Sequence, residues 1–214
     1  MARPFDLSLY LVTDEGLAGP RGVVETVREA IAGGVTLVQL RDPQGKGGHQ
    51  VEIAKALLAI LRPHGIPLII NDRVDVALAV DADGVHVGQS DIPAGLVRQM
   101  IGPDKILGLS ISKADELAAP DLAAADYLGI GPVFATPTKT NAAAPIGFDG
   151  LADLTAATAL PVVAIGGLKV EHVEPTLAAG AAGLAVVSAI MAAADPEAAA
   201  AAFSAALARA RIGR

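Results

Sequence analysis

At 214 residues and a formal charge of −7, the chain is long enough to bury a sizeable core, and it is too acidic for the broad basic footprint that nucleic acid or an anionic membrane requires. It contains no cysteine, which excludes disulfides, thiolate catalysis and zinc–thiolate sites. No run approaches about 20 uninterrupted apolar residues, and "MARPFDLSLYLVTDEG" lacks the apolar core and cleavage pattern of a signal peptide, so a soluble cytoplasmic protein is expected.

In chain order, the first short apolar run is "LSLYLVTD", followed by "GVVETVREAIAGG", whose apolar residues recur at helical spacing and which ends in glycine. "VTLVQLRD" reads as the second strand and "HQVEIAKALLAILRPHG" as the helix after it. Further strands are read at "PLIINDR", "ADGVHVGQ", "KILGLSIS", "ADYLGIGPV", "PVVAIGG" and "AGLAVVSAI", with shorter fourth and fifth connections. In "DPEAAAAAFSAALARARIGR", Asp195 suits the N-cap and Pro196 the first helical position, so the alanine run reads as helix. Eight strand–helix units without a linker predict an α/β fold in one domain over 1–214, a single (βα)8 TIM barrel. A doubly wound open sheet is the competing architecture.

Active sites of such barrels form at the C-terminal ends of the strands. Those ends carry Thr13 and Asp14, Gln39 and Arg41, Asn71 and Asp72, His86, Gln89 and Asp91, Ser110, and then Thr136, Thr138 and Lys139. Asp81 and Asp83 precede the fourth strand and read as solvated or capping residues of the opposite rim. Asp72 ends the third strand and Asp91 follows the fourth by a short loop, so the two are candidates for sharing one hard cation, with Mg2+ the best fit to oxygen-only ligands. Equally, each could cap the helix after it. Arg41 suits bidentate contact with phosphate, and Lys139 lies on the long loop "TPTKTNAAAPIG", a candidate lid. By the period-two rule Leu37, Gln39 and Arg41 share one strand face. Gly166 and Gly167 after the seventh strand, with Ser188 after the eighth, mark a candidate phosphate site. His86, flanked by apolar residues, reads as a hydrogen-bonded core histidine more readily than as an acid or base. The whole describes a mouth for phosphorylated substrates.

The strings "QLRD", "INDRVDVAL", "ADGVHVGQSD", "GLS", "DYLGIGPVFATPTKT", "VVAIGGL" and "AVVSAI" occur in this order over nearly the whole chain, and together they resemble the thiamine-phosphate synthases. The resemblance implies a TIM barrel that joins 4-amino-2-methyl-5-(diphosphooxymethyl)pyrimidine to a thiazole phosphate, giving thiamine phosphate and diphosphate by a dissociative displacement. It implies that Gln39, Arg41 and Asn71 contact the pyrimidine diphosphate and that Asp72 and Asp91 hold Mg2+. Ser110 and Lys139 would complete the diphosphate clamp, making Arg41, Lys139 and Ser110 the expected catalytic residues. Thr136, Thr138, Gly167, Val187 and Ser188 would receive the thiazole phosphate. The family pattern "Q-x-R-x-K" meets Pro43 at its lysine position, and Lys46 is the candidate to compensate. A thiazole tautomerase-like paralogue would carry histidine where this chain has Ser112 and would need no paired carboxylates. A phosphate-binding barrel isomerase would need a positioned acid and base, for which only His86 and Asp14 are candidates. A noncatalytic thiazole-phosphate-binding barrel is the reading that Pro43 encourages. Nothing in the sequence points to a particular oligomeric state.

Overall fold

A computed structural model describes residues 4–136 and 143–212. Eight parallel strands close into a barrel in chain order: β1 (Leu9–Val12), β2 (Leu37–Leu40), β3 (Leu68–Asn71), β4 (Gly84–Val87), β5 (Ile106–Ile111), β6 (Tyr127–Ile130), β7 (Val162–Ala164) and β8 (Gly183–Val186). The eight-unit barrel reading therefore holds, and the open sheet does not occur. The helices are α1 (Glu15–Ala18), α2 (Val23–Ala32), α3 (Gly47–Leu61), α4 (Val74–Val80), α5 (Ala94–Ile101), α6 (Gly147–Ala156), α7 (Val173–Ala178), α8 (Ser188–Met191) and α9 (Pro196–Ile212). Between β5 and β6 the chain makes only two 3-10 turns, Ala114–Ala118 and Pro120–Ala124, which explains the short fifth connection.

Alternation along each strand builds two apolar layers. Leu9, Leu11, Val38, Leu40, Leu68 and Ile70 point outward and pack under the helices. Tyr10, Val12, Leu37, Ile69, Ile106, Tyr127 and Val163 point inward and fill the barrel. The interior accepts two tyrosines because glycine stands at inward positions beside them. A methyl group at Gly108 would lie 2.2 Å from Tyr127 Cζ and 2.3 Å from His86 Nδ1.

Closure between β1 and β8 sets Leu9 opposite Leu184. Gly183 permits it, since a side chain there would meet the Leu7 carbonyl at 2.0 Å. α9 packs across α2, where the Ser204 hydroxyl donates to the Gly33 carbonyl at 2.9 Å. Its start is capped as expected, with the Ala198 N–H donating to Asp195 Oδ1 at 2.9 Å. On the N-terminal rim the Asp83 carboxylate accepts the Leu68 N–H at 2.9 Å, and Asp81 pairs with Lys105. Among the described residues no helix is long and apolar enough to cross a membrane.

Candidate active site

A cavity of about 430 Å³ opens at the C-terminal ends of the strands. Gln39, Arg41, Asn71 and Ser110 line one side of it, from β2, β3 and β5. Thr136, Gly167, Val187 and Ser188 line another, after β6, β7 and β8. Thr138 and Lys139 lie outside the described residues.

Arg41 is held by its backbone. Thr13, fully buried at the end of β1, accepts the Arg41 N–H at 3.0 Å through Oγ1. Among the described residues the Arg41 guanidinium makes no ion pair, so its donors remain for an anion in the cavity. The turn beyond it is tied down by Gln50, whose Nε2 donates to the Asp42 carbonyl at 2.7 Å and to the Gly45 carbonyl at 3.2 Å. Pro43 and Lys46 lie on this turn, and neither lines the cavity.

Asn71 pairs with His86 in the β3–β4 register, and the Asp72 N–H continues that ladder to the His86 carbonyl at 2.9 Å. Asp72 adopts φ 59°, a left-handed conformation that Asp tolerates better than most residues, and its Oδ2 accepts from Asn71 Nδ2 at 2.6 Å. Asp91 Oδ2 accepts the Gly88 N–H at 2.8 Å, one residue past β4. The cap positions of the following helices belong to Arg73 and Pro93, not to Asp72 and Asp91, because each chain segment takes extra residues before turning helical. The expectation that these two carboxylates cap helices is corrected on that point. Neither carboxylate is among the cavity-lining residues, although Asn71 and Gly88, which they bond, are. The pair offers only hard oxygen donors, Asp72 one residue past β3 and Asp91 four residues past β4. That donor set fits Mg2+, which commonly takes one or two carboxylates and completes its shell with water and substrate phosphate. Glu15, Asp42 and His49 form a second group, with candidate ligand atoms within 4.8 Å of one another. It lies outside the cavity lining and includes an imidazole.

Along the cavity wall, which Tyr10 and His86 help to line, runs a buried polar chain. Gln39, 5% exposed, donates from Nε2 to the Tyr10 hydroxyl at 2.6 Å. The Tyr10 and Tyr127 hydroxyls lie 2.8 Å apart, and Tyr127 lies 2.9 Å from His86 Nδ1. His86 Nε2 is 2.9 Å from Ser110 Oγ. Burial pushes both phenols above the ordinary tyrosine value, so they stay protonated. His86 is thus a buried, hydrogen-bonded histidine, as its apolar flanks suggested.

At the β7 end, Gly166 and Gly167 take φ 94° and 66°. Bonds from the Val133 N–H to the Ile165 carbonyl and from the Phe134 N–H to the Gly166 carbonyl zip this turn to the chain leading to Thr136. The Gly167 and Ser188 N–H groups donate to no acceptor among the described residues. They are available to a phosphate, in the arrangement barrels use after strands seven and eight.

Sequence reasoning does not mark Tyr10, Tyr127 or Glu116 as site residues. The period-two rule places Tyr10 inward with Val12, a usable signal, but nothing local pairs it with Tyr127. Glu116 accepts the Ser112 N–H at 2.7 Å and lines the cavity from a 3-10 turn, where no sequence periodicity marks it.

A family model described as thiamine monophosphate synthase matches residues 9–190. The chain is similar to the thiamine-phosphate synthase of Azorhizobium caulinodans, 58% identical over 195 residues that cover 91% of this chain and 92% of that one. It is 56% identical over 211 residues to the thiamine-phosphate synthase of Xanthobacter autotrophicus, covering 99% and 100% of the two chains. Among solved structures, the thiamine phosphate pyrophosphorylase from Pyrococcus furiosus superposes with a TM-score of 0.86 at 38% identity, covering 95% of this chain and 96% of that one.

Proposed function

The chain belongs to the thiamine monophosphate synthase family, and from that premise we propose how its barrel mouth carries the thiamine-phosphate synthase reaction. It is a transferase that joins the two halves of thiamine phosphate. We assign 4-amino-2-methyl-5-(diphosphooxymethyl)pyrimidine to the β2–β5 side of the cavity and the thiazole phosphate to the β6–β8 side, within one barrel domain spanning 1–214. The observation that carries this reading is one cavity holding two separate sets of anion donors, Arg41 with Ser110 and Gly167 with Ser188.

Gln39 and Asn71 orient the pyrimidine. Arg41, Ser110 and Lys139 surround the diphosphate, and Thr136, Thr138, Gly167, Val187 and Ser188 hold the thiazole phosphate. The bond between the pyrimidine methylene carbon and the diphosphate oxygen breaks first, its electron pair leaving with diphosphate. The aminopyrimidine ring donates electrons to the resulting methylene cation, and the thiazole nitrogen lone pair forms the new C–N bond. Growing negative charge on the leaving oxygens is met by fixed donors of Arg41 and Ser110, which need no reorganisation at that moment. Fixing the thiazole phosphate at a separate site holds the nucleophile near the methylene carbon and limits capture by water. Asp72 and Asp91 would hold Mg2+, which supplies further neutralisation of the diphosphate when bound.

The test is diphosphate release by the purified protein with both substrates and Mg2+. Release matched by thiamine phosphate formation is expected, and no release despite binding of thiazole phosphate would establish a noncatalytic barrel instead. Asp72→Asn and Asp91→Asn are each expected to lower Mg2+-dependent turnover by at least about tenfold. Full activity in both would overturn the metal assignment.

A further inference from the structure

We propose that Tyr10, Tyr127 and His86 form a directional hydrogen-bond relay that couples the group Gln39 presents to the pyrimidine with the hydrogen Ser110 presents to the diphosphate. The inference rests on the substrate placement above. His86 and the tyrosines act in it as positioning residues.

The direction follows from counting hydrogens. Gln39 Nε2 has only hydrogens to give, so the Tyr10 oxygen accepts at 2.6 Å. Each phenol has one hydrogen. Tyr10 is 1% exposed, and its hydroxyl hydrogen has one acceptor within reach among the described residues, the Tyr127 oxygen at 2.8 Å. Tyr127 then spends its own hydrogen on His86 Nδ1 at 2.9 Å. That acceptance requires the His86 hydrogen on Nε2, from which it donates to Ser110 Oγ at 2.9 Å. The Ser110 hydroxyl, already an acceptor, keeps its hydrogen for the cavity it lines. Turning only the tyrosine–histidine segment around would leave the Tyr10 hydrogen without a protein acceptor among the described residues at a site 1% exposed, a cost of the kind folded proteins avoid. The raised phenol pKa values keep both hydrogens in place.

The two ends suit the two ends of the substrate. With one Nε2 hydrogen given to Tyr10, Gln39 keeps its second Nε2 hydrogen and offers Oε1 as the acceptor for the exocyclic amino group of the pyrimidine. Accepting from that amine favours electron release into the ring as the methylene cation forms. At the far end, Ser110 donates to the departing anionic oxygen. A pyrimidine bearing an oxo group in place of the amine would set its oxygen against the Oε1 lone pairs, and relieving that by rotating the amide would turn Oε1 toward Tyr10, reverse every bond in the relay and withdraw the Ser110 hydrogen. The relay thus joins recognition of the amine to stabilisation of the leaving group. Glycine at 108 keeps room for it, because a methyl there would lie 2.4 Å from the Tyr127 oxygen.

The test is nitrogen-15 NMR of histidine-labelled full-length protein, with His86 assigned by signal loss in His86→Asn. The resting wild type is expected to carry the His86 hydrogen on Nε2 with Nδ1 bare, and Tyr127→Phe, which preserves the ring and its packing, is expected to lose that preference. In parallel, Tyr127→Phe is expected to lower kcat about tenfold, the scale of one lost hydrogen bond, with the KM for thiazole phosphate unchanged. A wild-type hydrogen on Nδ1, or a Tyr127→Phe variant with wild-type kcat, would overturn the relay. The tautomer is read without turnover, so a failed diphosphate assay and a failed relay are distinguishable.

Discussion

Arg41 shows how far a single side chain can be read before folding. The alternation of "VTLVQLRD" puts Gln39 and Arg41 on one face, and both line the cavity because successive residues of a strand point to opposite sides. As a cavity-lining cation with no ion pair among the described residues, Arg41 is expected to carry much of the proposed diphosphate binding: Arg41→Ala should lower kcat/KM for the pyrimidine diphosphate about 100-fold in steady-state kinetics and leave the thiazole phosphate KM near wild type. Pro43 removes the charge that the family pattern places two residues on. Lys46, at the N-cap of α3, is the nearest lysine in sequence, and we propose it as the compensating charge although it does not line the cavity. Lys46→Ala is expected to raise the pyrimidine-diphosphate KM several-fold, and unchanged KM and kcat would show that Pro43 is not compensated from this turn. Tyr10 and Tyr127 mark the limit of residue-level reading. Each lies on a strand read from the sequence, yet the hydrogen bond between their hydroxyls spans 117 positions of sequence, and no local pattern encodes it.

At the scale of elements, the connections were legible where they carried a helical period and illegible where they did not. α2, α3 and α9 were marked by spacing and end signals, and they formed. The stretch between β5 and β6 became 3-10 turns, from which Glu116 reaches the cavity. Asp72 and Asp91 had the right residue type to cap a helix, but the chain delays α4 and α5 until Val74 and Ala94, which leaves both carboxylates in the strand-to-helix connections. The β7 turn makes the sharpest prediction at this scale. Gly167 combines φ 66° with a space in which a methyl would meet Phe134 Cβ at 2.8 Å. Gly167→Ala is therefore expected to raise the thiazole-phosphate KM about tenfold by shifting the backbone N–H groups of the turn, with little change in the pyrimidine-diphosphate KM. Isothermal titration with the thiazole phosphate alone checks it, and wild-type affinity would remove the turn from the phosphate site.

For the whole molecule, closure decides stability as well as function. The seam between β8 and β1 brings Gly183 against the Leu7 and Ser8 carbonyls at 2.0 and 2.5 Å from where a Cβ would sit. Gly183→Ala is expected to cost about 1–3 kcal/mol of unfolding free energy in urea titration, because a well-packed seam cannot absorb a methyl without backbone shifts. A variant of unchanged midpoint would show the seam to be slack. By itself the sequence determined the eight strands, the shared face of Gln39 and Arg41 on the second, the start of α9 and the polar residues at the C-terminal rim. Those properties depend on short-range periodicity and on which residues tolerate a given backbone conformation. Only the tertiary structure decided which inward residues meet: that Gln39, Tyr10, Tyr127, His86 and Ser110 join into one buried chain, and that the Gly166–Gly167 turn is zipped to the segment before Thr136. The physical reason is barrel closure, which sets strands distant in sequence side by side at a register that no single strand carries.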